Sequence, residues 1–96
     1  MPRIRISVEA EHDLDGIAEY TETTWGDRRV ERYLIKLEEG VELLGKHPAA
    51  GRSCDAIRPG LRRFEIGSHV IFYKAGPDGI LIVRILHQQM LPSKFL

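Results

Sequence analysis

Residues 61–86, which read LRRFEIGSHVIFYKAGPDGILIVRIL, decide the fold. The runs Leu61–Ile66, His69–Ala75 and Ile80–Leu86 are rich in β-branched and aromatic residues, as β-strands are. Glycine-containing turn sequences separate them, Gly67-Ser68 and then Gly76-Pro77-Asp78-Gly79. Because short turns join antiparallel strands, the stretch predicts a three-stranded antiparallel meander. The last run is almost wholly apolar, which is typical of an inner strand covered on both faces.

Upstream of the meander, residues 30–44 have the period of an amphipathic helix. Apolar residues recur at i, i+3, i+4, i+7, i+11 and i+14, namely Val30, Tyr33, Leu34, Leu37, Val41 and Leu44. Gly40 lies inside this pattern and costs about 1 kcal/mol relative to alanine, which need not break the helix. Pro48 is expected to end it. Residues 49–60 are rich in glycine and proline and predict a loop.

Residues 7–25 predict a preceding helix. Ser7 can cap its first turn, and the acidic residues that follow suit the positive end of the helix dipole. Its buried stripe is expected to consist of Leu14, Ile17, Ala18, Thr21 and Trp25. Gly26 is expected to end the helix in a left-handed conformation, and Asp27 to cap the next one. A connection of about two residues predicts an antiparallel helical hairpin.

The segment Arg3-Ile4-Arg5-Ile6 alternates with period two and predicts a short strand. The predicted order is therefore β-α-α-β-β-β. We expect an α+β fold in which the helical hairpin packs on one face of a small antiparallel sheet and leaves the other face partly open. With 96 residues, the chain is expected to form a single domain over 1–96.

Several functional classes receive no support from the sequence. No apolar run approaches the ~20 residues of a membrane span, and no signal-peptide core is visible, which favours a cytoplasmic protein without membrane contact. Cys54 is the single cysteine, so an internal disulfide is impossible. The histidines are scattered, and no P-loop, Rossmann or nucleophile-elbow motif occurs. We therefore expect no metal, no cofactor and no catalytic residues.

The zero net charge of the chain hides an asymmetry between its two halves. Residues 1–45 carry 6 basic and 11 acidic side chains, whereas residues 46–96 carry 8 basic and 3 acidic ones. The basic half would attract an anionic partner, such as an acidic protein segment or nucleic acid. Alternatively, the two halves neutralise each other within the fold.

Arginines mark the meander and its approach. Arg62 and Arg63 are neighbours in a strand and must point to opposite faces. Arg84 lies between Val83 and Ile85, and its charge is expected to emerge on the face opposite both. Such an arginine could present a planar donor fork to phosphate or carboxylate. It could equally pair with a carboxylate of the second helix, the candidates being Glu38, Glu39 and Glu42.

Ordered motifs along nearly the whole chain resemble the ParE toxins of the RelE/ParE toxin–antitoxin superfamily. The most specific motifs are Arg58-Pro59-Gly60-Leu61-Arg62, Gly67-Ser68-His69-Val70-Ile71-Phe72-Tyr73 and Ile82-Val83-Arg84-Ile85-Leu86-His87. Further matches are Ala10, Asp13-Leu14, Ile17, Tyr20, Trp25-Gly26, Tyr33, Leu37, His47-Pro48 and Gly51-Arg52. Their order and spacing agree with the predicted β-α-α-β-β-β layout.

This resemblance implies a toxin that binds DNA gyrase and traps it with cleaved DNA, and that is not itself an enzyme. It also implies a ParD-like antitoxin whose C-terminal segment folds on binding. No sequence-specific contact with nucleic acid is expected. Together with the basic half of the chain, the motifs predict partner-binding residues for antitoxin or gyrase, namely Arg58, Arg62, Arg63, Arg84 and His87.

Two alternatives remain open at this stage. RelE-like relatives cleave mRNA on the ribosome, and Arg63, Arg84 and His87 could be assigned to that chemistry. The segment His69–Tyr73 has the ParE form, however, and the chain has few lysines with which to hold ribosomal RNA. The other alternative is a degenerate toxin that retains only antitoxin binding.

Overall fold

The computed structural model describes residues 3–96, except for the side chains of residues 21–25 and 27. The helices are α1 (Val8–Trp25) and α2 (Asp27–Lys46), and the strands are β1 (Arg3–Ile6), β2 (Arg52–Ser53), β3 (Leu61–Ile66), β4 (His69–Gly76) and β5 (Gly79–His87). Single 3-10 turns occur at Pro48–Ala50 and Pro92–Lys94. The α+β fold and its order are thus confirmed, with the two-residue β2 as an addition. Neither α1 nor α2 has the apolar length needed to cross a bilayer.

The sheet has the strand order β1-β5-β4-β3-β2. Strands β3, β4 and β5 form the predicted antiparallel meander. Strand β1 instead runs parallel to β5, with Arg3 opposite Gly79 and Ile6 opposite Ile82. The sheet is therefore mixed, and the prediction of a wholly antiparallel sheet was wrong in this detail. A four-residue strand followed by a long helical connection can pair in either direction, so its pattern does not specify its neighbour.

A β-bulge interrupts the pairing of β4 with β5. Phe72 is opposite Arg84 and Tyr73 is opposite Ile82, which leaves Val83 as the extra residue. Val83 packs on the outer face of the sheet, which is the face opposite the helices, and Arg84 shares that face with Phe72. The expectation that Arg84 lies opposite both Val83 and Ile85 was therefore wrong for Val83, because the bulge interrupts the alternation.

The main core lies between the helical hairpin and the sheet. Leu37 and Leu44 of α2 pack with Ile71, Tyr73 and Ile82 of the sheet, each at most 1% exposed. Gly40 suits this close approach, because a Cβ there would lie 1.8 Å from Cδ1 of Ile66, which would have to move. As predicted, Gly40 does not break α2. The expected stripe positions Thr21 and Trp25 lie outside the described side chains.

A second, smaller cluster lies on the outer face of the sheet. Its buried members are Cys54, Leu61, Val70, Phe72 and Leu86, with Val83 and Leu96 packed against them. Residues of the loop 54–60 and of the C-terminal tail thus cover part of this face. Strand β5 contributes buried residues to both clusters, which confirms the prediction that it is covered on both faces.

The helix boundaries follow local chemistry, with one correction. Ser7 caps α1 as predicted, since its Oγ accepts the backbone N–H of Ala10 at 3.0 Å. Gly26, and not Asp27, is the N-cap of α2, and Asp27 is the first helical residue. Gly26 has φ 88° and ψ 169°, outside the left-handed helical region. Because this one residue ends α1 and begins α2, it adopts a more extended conformation than a left-handed cap.

Candidate functional site: the basic outer face of the sheet

The amino-terminal half of α1 completes the edge of β5. Strand β1 pairs with β5 only as far as Ile82. Beyond that point, the Ser7 hydroxyl donates to the carbonyl of Val83 at 2.7 Å. The backbone N–H of Ile85 donates to Asp13 Oδ2 at 2.9 Å. Polar side chains at the start of α1 therefore satisfy the backbone groups that a further strand would otherwise pair.

Arg84 joins α1, β5 and the C-terminal tail. Its Nε and Nη2 each donate to the Asp13 carboxylate at 2.8 Å, and Nη1 donates to the carbonyl of Phe95 at 3.1 Å. The side chains of Arg84 and Asp13 are only 19% and 13% exposed. The hydrogen bond with Asp13, helped by its charge, raises the pKa of Arg84 against the opposing effect of burial. The carboxylate partner is thus on α1, and the candidates Glu38, Glu39 and Glu42 of α2 were wrong.

Arg62 points to the helix side of the sheet and holds a loop. Its guanidinium donates twice to the carbonyl of Gly51, at 3.1 and 2.6 Å, and once to that of Ala49 at 3.3 Å. Beside it, the Tyr73 hydroxyl donates to the Pro48 carbonyl at 2.6 Å and accepts the Gly51 N–H at 2.9 Å. A Cβ at Gly51 would lie 2.5 Å from that hydroxyl. Arg62 therefore donates through Nε and Nη2 to backbone carbonyls of its own chain.

Arg63 points to the outer face, opposite to Arg62 as predicted. Its guanidinium carbon lies 5.5 Å from the ring centroid of Phe72, and its Nε donates to Glu65 at 3.2 Å. Arg52 also pairs with Glu65. Partial burial tends to raise the pKa of Glu65, but the hydrogen bond from Arg52 and the charges of both arginines bring it below its usual value. Glu65 therefore stays ionised and partly neutralises this end of the face.

His87 lies at the far end of β5, on the helix side. Its ring meets that of His69 edge to face at 5.4 Å, and its Nδ1 accepts the N–H of Gln89 at 3.1 Å. The Tyr33 hydroxyl accepts the N–H of Ser68 at 3.0 Å and lies 2.5 Å from Nδ1 of His69. Burial, and then the nearby charge of His87, lower the pKa of His69, while Asp13 opposes them. This cluster ties α2 to the sheet.

A cleft of about 270 Å³ opens on the outer face. Leu81 and Val83 contribute apolar lining, and the cations Arg58, Lys74 and Arg84 line it as well. Its remaining lining residues are Ser7, Glu9, Phe95 and Leu96. Of the predicted partner-binding residues, the structure thus brings Arg58 and Arg84 together. Sequence reasoning missed Lys74. Side chains alternate between the two faces along β4, so Lys74, two residues after Phe72, shares the outer face with it.

The residues that an RNA-cleaving assignment would need are not assembled. Arg63 and Arg84 face outward, whereas His87 lies with His69 on the helix side. Within residues 3–96 as described, no group of three or more histidine, cysteine, aspartate or glutamate side chains could hold a metal ion. The outer face therefore presents the cations Arg58, Lys74 and Arg84 without His87.

Comparison with a solved structure supports the fold independently of sequence. A chain of the "Chromosomal ParDE TA system from P. aeruginosa" superimposes with a TM-score of 0.76. The match covers 91% of this chain and 96% of that one, at 21% identity. At so low an identity, the likeness concerns the arrangement of helices and strands.

Sequence comparison covers nearly the same span. "Toxin ParE1" of Mycobacterium tuberculosis is 38% identical over 89 residues, which cover 92% of this chain and 91% of the relative. "Toxin ParE1" of Caulobacter vibrioides is 39% identical over 90 residues, covering 94% and 93%. The family described as "ParE toxin of type II toxin-antitoxin system, parDE" matches residues 4–92. With both helices and the whole meander inside the matched residues, this chain belongs to the ParE family of type II toxin–antitoxin toxins.

Proposed function

We propose that this chain, as a single toxin domain over residues 1–96, inhibits DNA gyrase by trapping its DNA-cleavage complex in the cytoplasm. The observation that carries the proposal is the ParE family match over residues 4–92. We propose further that a ParD-like antitoxin neutralises it. The solved relative from a ParDE system supports that partner.

The toxin acts by binding and without a catalytic step or a cofactor. The arrangement of its ionisable groups supports this view, because Arg62 and Arg84 donate hydrogen bonds to oxygens of the chain itself. His87 lies apart from the outward-facing arginines. A site for RNA cleavage would need an acid, a base and phosphate-binding cations within reach of one another.

The predicted partner-binding set, taken residue by residue, divides into two roles. Arg58 and Arg63 offer cations at the outer face and are proposed to contact the gyrase–DNA complex directly. We propose that the other three residues position the segments around the partner surface and do not contact the partner themselves. Arg62 holds the loop, Arg84 holds the tail, and His87 holds the end of β5. Substituting a residue of the first group should weaken inhibition without unfolding the chain.

A supercoiling assay tests the proposal. Relaxed plasmid, ATP and purified gyrase are incubated with increasing toxin, alone or with the antitoxin encoded beside it. We expect loss of supercoiling that the antitoxin reverses. The double variant Arg58→Gln/Arg63→Gln should inhibit less, whereas the matched control Arg32→Gln/Lys36→Gln on exposed positions of α2 should inhibit normally.

Two other outcomes would reject the gyrase proposal, and each would point to a different function. If gyrase activity stays unchanged while mRNA is cut in a translation extract, the chain belongs functionally with the RNA-cleaving branch. If neither activity responds but the antitoxin still binds, the chain is a degenerate toxin that retains only its antitoxin surface.

A further inference from the structure

The fold separates negative from positive charge into layers. Helix α1 carries Glu9, Glu11, Asp13, Asp15 and Glu19, and the span Val8–Trp25 contains no lysine or arginine. The outer face of the sheet, on the opposite side of the molecule from the helices, carries most of the basic side chains of the meander. The acidic side chains of α1 and most basic side chains of the sheet therefore belong to different layers, although Arg3 and Arg5 come from the acidic half of the sequence.

Four cations of the outer face share one continuous region. Arg5 is paired with Leu81, and Leu81 is paired with Lys74, so the three form one row across β1, β5 and β4. Arg3 precedes Arg5 by two residues and projects from the same side of β1. Arg58, on the loop that covers β3, lines the same cleft as Lys74. Standard strand spacings put Arg3 about 7 Å from Arg5, and Arg5 about 10 Å from Lys74, at the Cα positions.

These four cations lack the internal counter-charges that their neighbours have. Arg52 and Arg63 pair with Glu65, and Arg84 pairs with Asp13. Within the part of the chain that the structure describes, Arg3, Arg5, Arg58 and Lys74 form no ion pair. An array of cations that form no ion pair within the fold attracts an external polyanion.

We propose that Arg3, Arg5, Lys74 and Arg58 bind the phosphate backbone of duplex DNA without reading its sequence. Spacing favours DNA over an acidic peptide, because the cations are spread across an open surface, as a repeating series of phosphates requires. Three of the four are arginines, whose donor forks match phosphate. Glu9 lines the cleft from the α1 side. The bound DNA is therefore expected to cross β1 and β4 and to avoid α1. This contact goes beyond the proposed inhibition of gyrase and needs no gyrase.

Fluorescence anisotropy of a short labelled duplex, titrated with the purified protein alone, tests the proposal. Binding should be detectable at about 50 mM salt and weaken steeply by 200 mM, with a slope of log K against log salt near −3 to −4 for four phosphate contacts. An unrelated duplex should compete equally well. The variant Arg5→Gln/Lys74→Gln should bind about tenfold more weakly and make the slope less negative by about 2.

The control removes the same charges from the helix layer. Arg32→Gln/Lys36→Gln changes one arginine and one lysine at exposed positions of α2 and should bind DNA like the wild type. Equal weakening in both double variants, or no binding at low salt, would overturn the proposal. Binding of polyglutamate but not of DNA would assign the face to an acidic protein segment instead. Because gyrase is absent, a negative result here leaves the gyrase assay to be judged separately.

Discussion

The Arg84–Asp13 pair offers the sharpest test of how this domain is held together. Arg84→Ala removes two hydrogen bonds to Asp13, one to the Phe95 carbonyl and the cation–π contact with the Phe95 ring at 5.6 Å. Asp13 would keep only the N–H of Ile85 while remaining largely buried. Exposed pairs contribute about 0–1 kcal/mol, and breaking a buried pair costs about 3–5 kcal/mol. For this partly buried pair we expect a loss of about 2–3 kcal/mol in the free energy of unfolding.

Urea unfolding followed by circular dichroism measures this loss, and thermal unfolding should show a melting temperature lower by about 10–20 °C. The chain also offers a matched control. Arg52 pairs with Glu65, but these side chains are 71% and 46% exposed, so Arg52→Ala should cost less than about 0.5 kcal/mol. A double-mutant cycle with Asp13→Asn should give a coupling of about 1–2 kcal/mol. If Arg84→Ala costs no more than Arg52→Ala, Arg84 does not clamp α1 to the sheet.

Three further predictions concern the helix side of the sheet. Tyr73→Phe leaves the buried N–H of Gly51 and the carbonyl of Pro48 without the hydroxyl, so it should lower the free energy of unfolding by about 1–3 kcal/mol in urea titrations. Ile71→Val removes one methylene from a fully buried site, and the same measurement should show a loss of about 0.5–1.5 kcal/mol. The lowered pKa of His69 means that the unfolded chain binds its proton more tightly, so stability should fall as pH drops below about 6.5. His69→Gln should reduce that pH slope, and an unchanged slope would remove His69 as its source.

The elements that could be predicted from sequence are those that local patterns specify. The meander follows from strand runs separated by two-residue turns, Gly67-Ser68 and Pro77-Asp78. Helix α2 follows from its apolar period, and the cap at Ser7 follows from side-chain chemistry. Each of these features depends on residues within a few positions of one another.

Features that depend on distant partners could not be predicted in this way. The parallel pairing of β1 with β5 joins residues more than seventy positions apart, and no local signal selects that neighbour. Val83 has the sequence character of any strand residue, although it is the bulged position that shares the outer face with Arg84. The partner of Arg84 proved to be Asp13, because the end of β1 leaves room for α1 at the edge of β5.

For the candidate site, the sequence indicated arginines but not which of them make contacts within the fold. Among the residues singled out by motif, Arg62 and Arg84 proved to be engaged in contacts within the fold. Lys74 lies outside the family motifs quoted above, yet it lines the cleft with Arg58. Family motifs contain both residues that stabilise the fold and residues that contact partners. Hydrogen bonds within the chain identify the residues that stabilise the fold.

The gyrase cleavage reaction tests the central functional proposal most directly. Purified gyrase and supercoiled plasmid are incubated with the toxin, the reaction is stopped with detergent and protease, and linear DNA is quantified. We predict that linear DNA accumulates with toxin concentration, and that antitoxin added beforehand prevents it. Full inhibition of supercoiling without any linear DNA would contradict trapping of the cleavage complex, and an unaffected gyrase would contradict gyrase as the target.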